Sequence, residues 1–250
     1  MVHSSELWQR GGSLVQSLLM ILRSLAARRV AGVRWLSSAR SISPVSGEVL
    51  KEFPYISDAA VLEAIESSDT AFQSWKRTSF QERGDKLRAA ATLLRERSDS
   101  LCQLMAAEMG KQIVEGAGEV NKCADHLDYY AANAEKMAQS DPTEVPGVMV
   151  TYRPLGVIFA IMPWNFPLWQ VFRQAGTAMS GGNTILLKHA PNVFGCAEAI
   201  QKIFDDAGFP KGVFVNLPID TPQAPTVIAH PAVRAVALTG SCGAGRAVAA

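Results

Sequence analysis

Residues 151–188 read TYRPLGVIFAIMPWNFPLWQVFRQAGTAMSGGNTILLK, and this stretch decides the fold. The apolar run 156–162 contains β-branched residues and predicts a buried strand. The proline corner, PWNFP at 163–167, ends that strand, because proline supplies no amide to a sheet and restricts the residue before it. Apolar residues return at helical spacing over 168–179, two glycines follow, and 183–188 predicts a second strand. The stretch is therefore a βαβ unit.

Two polar side chains stand where the strands of this unit end. Asn165 lies on the proline corner, and Lys188 closes the second strand. Open α/β sheets bind ligands in the crevice beyond the carboxyl ends of their strands, so both residues are candidate site residues. A carboxamide N–H suits a developing oxyanion, and an ammonium suits a hydroxyl or a phosphate. Two plainer interpretations stay open, in which Asn165 caps the following helix and Lys188 is a solvated lysine.

The alternation of helix and strand continues along the chain. Helical patterns at 193–207 and 226–228 alternate with apolar runs at 213–217 and 233–239 that predict strands. Right-handed crossovers between such strands give a parallel, doubly wound, Rossmann-like sheet in the α/β class. After the last strand, a turn leads into a helix whose N-terminal amides favour phosphate. The turn contains Gly240, Ser241, Gly243 and Gly245.

Upstream of the βαβ unit the pattern is mainly helical. Four helices are predicted, over 58–75, 81–97, 100–109 and 111–133, with Asp58 as the N-cap of the first. Two prolines and a glycine then precede an exposed or intersubunit strand at 148–151.

Residues 1–40 differ in composition from the rest of the chain. They hold six arginines against one acid, with scattered serines and with leucines at helical spacing. This pattern predicts a mitochondrial transit peptide and hence a mitochondrial matrix protein, with the cytoplasm as the alternative location. A secretory signal and an upstream start codon that adds disordered residues are the other interpretations.

Composition excludes several functional classes. The chain is 48% hydrophobic and 19% charged, as in ordinary globular proteins, and a net charge of +1 gives no electrostatic case for nucleic acid. Arg23 interrupts the longest apolar run, 14–25, so no membrane span is predicted. The four cysteines show no CxxC spacing, which favours free thiols in a reducing compartment. No residues have the spacing of a metal site.

The runs TYRPLGV, PWNFPLWQ and GGNTILLKHAPN resemble the aldehyde dehydrogenase superfamily, most of all its succinate-semialdehyde dehydrogenase-type members. The resemblance runs from about Ser43 to Ala250 and covers the N-terminal half of that superfamily's length. It implies NAD- or NADP-dependent oxidation of an aldehyde, here succinate semialdehyde, to its acid through a thiohemiacetal. It also implies a homo-oligomer.

The resemblance assigns roles to particular residues. Asn165 is implied to be the oxyanion donor, and Lys188 is implied to contact the ribose or phosphate of the dinucleotide. NAD-preferring relatives often carry a glutamate three residues after this lysine, where Pro191 stands here, so NADP is not excluded. The implied cofactor-binding residues are Pro163, Trp164, Lys188, Gly240, Ser241 and Gly245.

The chain departs from the superfamily beyond the Gly240–Ser241 turn. The general base in an ELGG context and the nucleophilic cysteine in an FxxxGQxC context are absent from the 250 residues. Of the cysteines present, three have apolar helical surroundings and Cys242 falls at the implied phosphate site, so none is a predicted nucleophile. We therefore expect dinucleotide binding at best and no turnover. A pseudoenzyme, or a fragment that binds a nucleotide or a partner, is the alternative.

These observations divide the chain into four segments. Residues 1–40 form the leader, and 41–135 form the N-terminal helical part of the cofactor domain. Residues 136–153 form an oligomerisation-type strand segment, and 154–250 form a truncated dinucleotide-binding core whose catalytic domain is missing.

Overall fold

A computed structural model of the protein describes residues 38–250. In chain order its elements are β1 (Ser38–Ile42), β2 (Val49–Pro54), α1 (Asp58–Trp75), α2 (Phe80–Glu96), α3 (Ser98–Met109), α4 (Ile113–Met137), β3 (Asp141–Pro142), β4 (Met149–Val150), β5 (Val157–Met162), α5 (Trp169–Ser180), β6 (Thr184–His189), α6 (Phe194–Asp206), β7 (Phe214–Asn216), α7 (Ala224–Ala229), β8 (Val233–Leu238) and α8 (Cys242–Ala249). Short 3₁₀ turns, Pro191–Val193 and Thr221–Gln223, precede α6 and α7.

The main sheet has four parallel strands in the order β7-β6-β5-β8. The chain moves outward from β5 to β6 and β7, and then crosses back to place β8 on the other side of β5. The predicted parallel, doubly wound sheet is therefore confirmed. The strand order therefore reverses direction at β5, and open α/β sheets bind ligands beyond the carboxyl ends of the two strands at such a reversal, here β5 and β8.

The central strands β5 and β6 are buried on both faces of the sheet, as their near-continuous apolar sequences predict, whereas β8 is only partly covered. Ile158, Ala160 and Met162 of β5 pack on one face with residues of α2, α4, α5 and α6. Val157 and Phe159 pack on the other face with residues of α1 and α7. Each fully buried side chain of this size contributes about 1.5–3 kcal/mol through removal of apolar surface from water. The strand ends are thereby held rigidly.

The first hairpin pairs β1 with β2 in antiparallel register, from Ser38 opposite Pro54 to Ile42 opposite Val49. Phe53 packs edge-on against Phe194 at the start of α6, with ring centroids 5.8 Å apart. The predicted leader, 1–40, overlaps this hairpin at its last three residues. The rest of the leader, with its transit peptide prediction, lies outside the described residues.

Helix caps follow the expected chemistry with one correction. Asp58 is the first residue of α1 and not its N-cap, because Ser57 has the extended cap conformation and its hydroxyl accepts from the Ala60 amide. Ser79 and Glu82 form a reciprocal capping box at the start of α2. Gly110 ends α3 in the left-handed conformation, at φ 75°.

The second hairpin pairs β3 with β4, and its strands are exposed, as predicted for the segment around 148–151. Val145, at the tip of the hairpin, is 89% exposed. The oligomeric role of this segment stays a prediction.

Candidate functional site

A cleft of about 300 Å³ opens beyond the carboxyl ends of β5 and β8, at the crevice that the strand order creates. It brings together five of the residues predicted from sequence, from two segments that are far apart in the chain. The lining residues are Pro163, Trp164, Asn165, Thr239, Gly240 and Ser241. Sequence reasoning missed only Thr239, whose amide extends the β8 ladder to the Ile161 carbonyl at 3.1 Å.

Larger hollows occur elsewhere in the described part of the chain. One lies beside Gly212, just before β7, and another beside Gly156 and His230, just before β5 and β8. Both border segments that enter strands at their amino ends, whereas open α/β sheets bind ligands at the carboxyl ends. The smaller cleft at the proline corner is therefore the candidate site.

Asn165 is exposed on the corner, and its side chain makes no hydrogen bond to any of residues 38–250. The interpretation of Asn165 as a helix cap is wrong. Helix α5 begins at Trp169, and the amides of Leu168 and Trp169 both donate to Glu119 Oε1, at 2.8 Å each. With the helix end satisfied by Glu119, the Asn165 carboxamide is free to donate into the cleft.

A buried ion pair contacts the proline corner, 163–167, and fixes its backbone. Lys111 Nζ donates to Glu119 Oε2 and, at 3.2 Å, to the Asn165 carbonyl oxygen. It also lies 4.0 Å from the centroid of the Phe166 ring, a cation–π distance. The side chains of Lys111 and Glu119 are only 9% and 1% exposed. The available sequence signal was a glutamate on the apolar face of α4, next to Val120 and one turn before Cys123.

His189 anchors the other end of the corner. Its Nε2 donates to the Pro167 carbonyl at 2.9 Å, and its Nδ1 accepts from the Ala190 amide at 2.8 Å, so the bonding pattern assigns the neutral Nε2–H tautomer. The imidazole is fully buried, and this burial lowers its pKa from 6.5 to about 4. Sequence reasoning assigned this histidine no role.

The protonation of His189 makes stability depend on pH. Below pH 6.5 the unfolded chain takes up a proton at this residue, whereas the folded chain resists protonation down to about pH 4. The free energy of unfolding should therefore fall as the pH falls through this window, with about 2 kcal/mol lost at pH 5. Urea unfolding at pH 7.5 and pH 5 measures the loss.

His189→Gln serves as the test variant, because its amide still donates to Pro167. His189→Gln should remove most of the pH dependence of the free energy of unfolding. His126 is only half-buried, so the control variant His126→Gln should retain most of that dependence. Equal pH dependence in wild type and His189→Gln would contradict the assignment.

Lys188 lies at the carboxyl end of β6, opposite Ile161 of β5, and is only 9% exposed. It does not line the cleft. Strand alternation puts it on the same face as Leu186, the face covered by α1 and α7. Burial lowers the pKa of Lys188, and the Asp220 carboxylate opposes that shift.

Within residues 38–250, the Lys188 ammonium has no hydrogen bond and no ion pair, and Asp220 Oδ1 is a buried oxygen without a partner. Buried polar groups are nearly always hydrogen-bonded in native proteins. A ligand that brings both a donor and an acceptor would satisfy the two groups together.

The turn after β8 has the predicted form. Ser241 is the N-cap of α8, and its hydroxyl accepts from the Ala244 amide at 3.2 Å. The N-terminus of a helix attracts anions, so the turn suits a phosphate at the cleft. Gly245 does not line the cleft, and its amide donates to the Ser241 carbonyl at 3.0 Å, so that amide is not free for a ligand.

The four thiols are free. Three of them, Cys102, Cys123 and Cys196, are buried, as predicted for packing residues, and burial raises the pKa of the last two. Cys242 is exposed in the first turn of α8. Cys123 and Cys196 are therefore held as neutral thiols, and all three buried side chains are out of reach of a substrate.

Residues 38–250 lack two further features. They contain no group of three or more histidine, cysteine, aspartate or glutamate residues arranged to hold a metal ion. None of their helices is long and apolar enough to cross a membrane.

Comparison with known proteins adds independent evidence. The sequence profile of the aldehyde dehydrogenase family matches residues 35–250. The chain is 42% identical over 214 residues to a succinate semialdehyde dehydrogenase [NAD(P)+] of Escherichia coli, covering 85% of this chain and 46% of that protein. It is 43% identical over 207 residues to a probable succinate-semialdehyde dehydrogenase [NADP(+)] of Synechocystis. This match covers 82% of this chain and 46% of that protein.

The fold is also similar to solved structures. A succinic semialdehyde dehydrogenase from Streptococcus pyogenes in complex with NADP+ superposes with a TM-score of 0.82 at 33% identity, covering 84% of this chain and 47% of that one. The chain thus spans about half the length of the proteins it matches.

Proposed function

The chain belongs to the aldehyde dehydrogenase family, and from that premise we propose that residues 38–250 form the dinucleotide-binding part of an enzyme that oxidises an aldehyde to a carboxylic acid. The observation that carries the proposal is the cleft that unites the Asn165 corner with the Gly240–Ser241 turn. In this cleft a neutral hydrogen-bond donor lies beside a helix N-terminus, and that pairing supports a site for an anionic cofactor.

The chemistry of the site fits an NAD or NADP cofactor. The α8 N-terminus and the glycine turn offer amides and a favourable dipole to a pyrophosphate. The Lys188 ammonium and Asp220 Oδ1, both without partners among the described residues, match the hydroxyls of a ribose. Trp164 and Pro163, which line the cleft, would flank the bound dinucleotide. The bound nicotinamide supplies the hydride acceptor, and this chain's residues hold it in place.

Asn165 is proposed as the oxyanion donor. Its carboxamide stays neutral at every relevant pH, so it donates to a carbonyl oxygen without competing for a proton. A single preorganised donor of this kind typically lowers the barrier by about 3 kcal/mol. The rigid mounting of the corner on Glu119, Lys111 and His189 supports this role, because preorganisation requires that the donor need not be reoriented during the reaction.

We take succinate semialdehyde as the substrate and NAD or NADP as the cofactor. The relatives named above are succinate-semialdehyde dehydrogenases for NAD(P)+ or NADP+. Pro191 begins the 3₁₀ turn after β6, where a glutamate would disfavour the 2′-phosphate of NADP. The proline at this position therefore supports acceptance of NADP.

The 250 residues are proposed to bind cofactor without turnover, because none of the four cysteines is a suitable nucleophile. The alternative is a pseudoenzyme that binds a nucleotide or a partner. Sequencing the transcript distinguishes the two: an in-frame continuation with the ELGG and cysteine motifs supports the enzyme, and a stop codon after Ala250 supports the pseudoenzyme.

Calorimetric titration of the 250-residue chain with NAD+ and with NADP+ tests the cofactor proposal. We expect binding of at least one cofactor with a dissociation constant between about 1 μM and 1 mM. Addition of succinate semialdehyde should then give no reduced nicotinamide. No binding of either cofactor would contradict the proposed site, and steady formation of reduced nicotinamide would contradict the proposed lack of turnover.

Two finer proposals concern location and assembly. Residues 1–40 are proposed to direct the protein to mitochondria, which imaging of a fluorescent protein fused to this segment tests. The exposed β3–β4 hairpin, with apolar Val148, Met149 and Val150, is proposed to join subunits. Sedimentation of the protein before and after substitution of Met149 by aspartate tests that role.

A further inference from the structure

Asn165 has no side-chain hydrogen bond to residues 38–250, so these residues position it through its backbone. That backbone is fixed from one side by Lys111, through the Asn165 carbonyl itself. It is fixed three and four residues later by Glu119, through the amides of Leu168 and Trp169. The two fixing side chains are themselves joined as an ion pair.

We propose that Lys111 and Glu119 act as a positioning pair, which fixes the backbone from which the Asn165 carboxamide projects by holding both ends of the short segment between Asn165 and Trp169. This inference rests on the proposed oxyanion role of Asn165. Neither Lys111 nor Glu119 touches the cleft, so both act through the corner and not on the substrate.

The chemistry of the pair suits this task. One carboxylate oxygen accepts two amides at the start of α5, where the helix dipole favours a negative charge. The other oxygen binds Lys111, which neutralises a charge that would be costly in a buried site. Pro167 limits the torsions available between the two fixed points. Loss of either charge should therefore loosen the corner.

The chain contains a matched control for this role. Counted over the whole residue, Glu108 and Glu119 are equally buried, at 4% exposure. The two oxygens of Glu108 accept the amides of Gly195 and Cys196 at 2.9 and 2.8 Å, at the start of α6. It makes the same kind of cap as Glu119 on the neighbouring helix. Glu108 makes no hydrogen bond to residues 163–167, so its loss should cost stability without loosening the corner.

The test compares Glu119→Gln with Glu108→Gln in the 250-residue chain by NMR relaxation of the Trp164, Asn165 and Phe166 amides and of the Asn165 side-chain amide. In wild type and in Glu108→Gln we expect backbone order parameters of about 0.85 at the corner, and in Glu119→Gln values below about 0.6. The midpoint of urea unfolding should fall in both variants. Lys111→Met should loosen the corner as Glu119→Gln does, and Lys111→Arg should restore it.

An ordered corner in Glu119→Gln and Lys111→Met, or equal loosening in Glu108→Gln, would overturn the inference. If Glu119→Gln does not fold, the two Lys111 variants decide. The proposed function has a separate readout, because cofactor titration of the wild type succeeds or fails regardless of corner order. A rigid corner that depends on the pair, in a chain that binds no dinucleotide, would uphold the positioning role and reject the function.

Discussion

Replacing Lys188 by methionine should weaken dinucleotide binding about 10- to 100-fold, since a hydrogen bond from a charged group is worth about 1.5–3 kcal/mol. Methionine keeps the length and apolar stem of the side chain and removes only the ammonium. The lysine is 9% exposed and has no partner among the described residues, so the proposed cofactor is the group that would satisfy it. Calorimetric titration with NAD+ and NADP+ measures the loss.

The same substitution should not destabilise the free protein, and this makes the prediction specific. An ammonium that is largely removed from water and has no hydrogen-bond partner among the described residues costs free energy, and burial accordingly lowers the pKa of Lys188. Its removal should leave the free energy of unfolding unchanged or raise it. A residue that only supports the fold would show the reverse, with lower stability.

The lowered pKa of Lys188 also predicts how the affinity for dinucleotide changes with pH. As the pH rises through that pKa, the ammonium of the folded protein is lost, so the affinity for dinucleotide should fall on the alkaline side earlier than for an ordinary lysine. The Lys188→Met variant should lack this decline. Lys202→Met, at an exposed position of α6, serves as the control and should bind like the wild type. Wild-type affinity in Lys188→Met would contradict the assigned role.

Replacing Gly212 by alanine should destabilise the protein by about 2–6 kcal/mol, the sum of backbone strain and overpacking. Gly212 precedes β7 with φ +91°, which an alanine adopts only with strain. An added Cβ would also lie 2.7 Å from the Ser67 carbonyl oxygen and 2.9 Å from Ala71 Cβ. Both contacts belong to α1, so relief requires the loop or the helix to move.

Urea unfolding of the variant measures this loss, with Gly118→Ala as the control. Gly118 lies in α4 with nothing within 4 Å of its added Cβ, so alanine there should stabilise the helix by up to about 1 kcal/mol. The two substitutions add the same methyl group. Opposite changes in the free energy of unfolding would therefore show that the surroundings of each glycine, and not the methyl group itself, cause the effect. A change below about 0.5 kcal/mol in Gly212→Ala, the range typical of surface positions, would contradict the packing described.

The main elements were predictable because local signals agree with the fold. The apolar run 156–162, the proline corner and the two following glycines set the bounds of β5 and α5 to within a residue or two of those observed. Asn165 and the Gly240–Ser241 turn were predictable as site residues because each follows a strand. Chain order and the crossover rule then bring strand ends to one edge of the sheet.

The helix caps were less predictable. Asp58 and Ser57 are adjacent, and both are good capping residues, so backbone conformation alone selected Ser57. At α5 the prediction failed for a different reason. The local candidate was Asn165, but the cap is Glu119, which is 49 residues from Leu168 in the chain.

The βαβ unit, the parallel sheet and the residues at its strand ends follow from local patterns, because periodicity, prolines and glycines act over a few residues. The contacts that hold the corner and the polar groups that lack partners became known only from the folded chain. Those properties depend on contacts between segments far apart in the chain, such as Lys111 with Asn165 and Glu119 with Trp169. The strength of such contacts comes from burial, which no local pattern records.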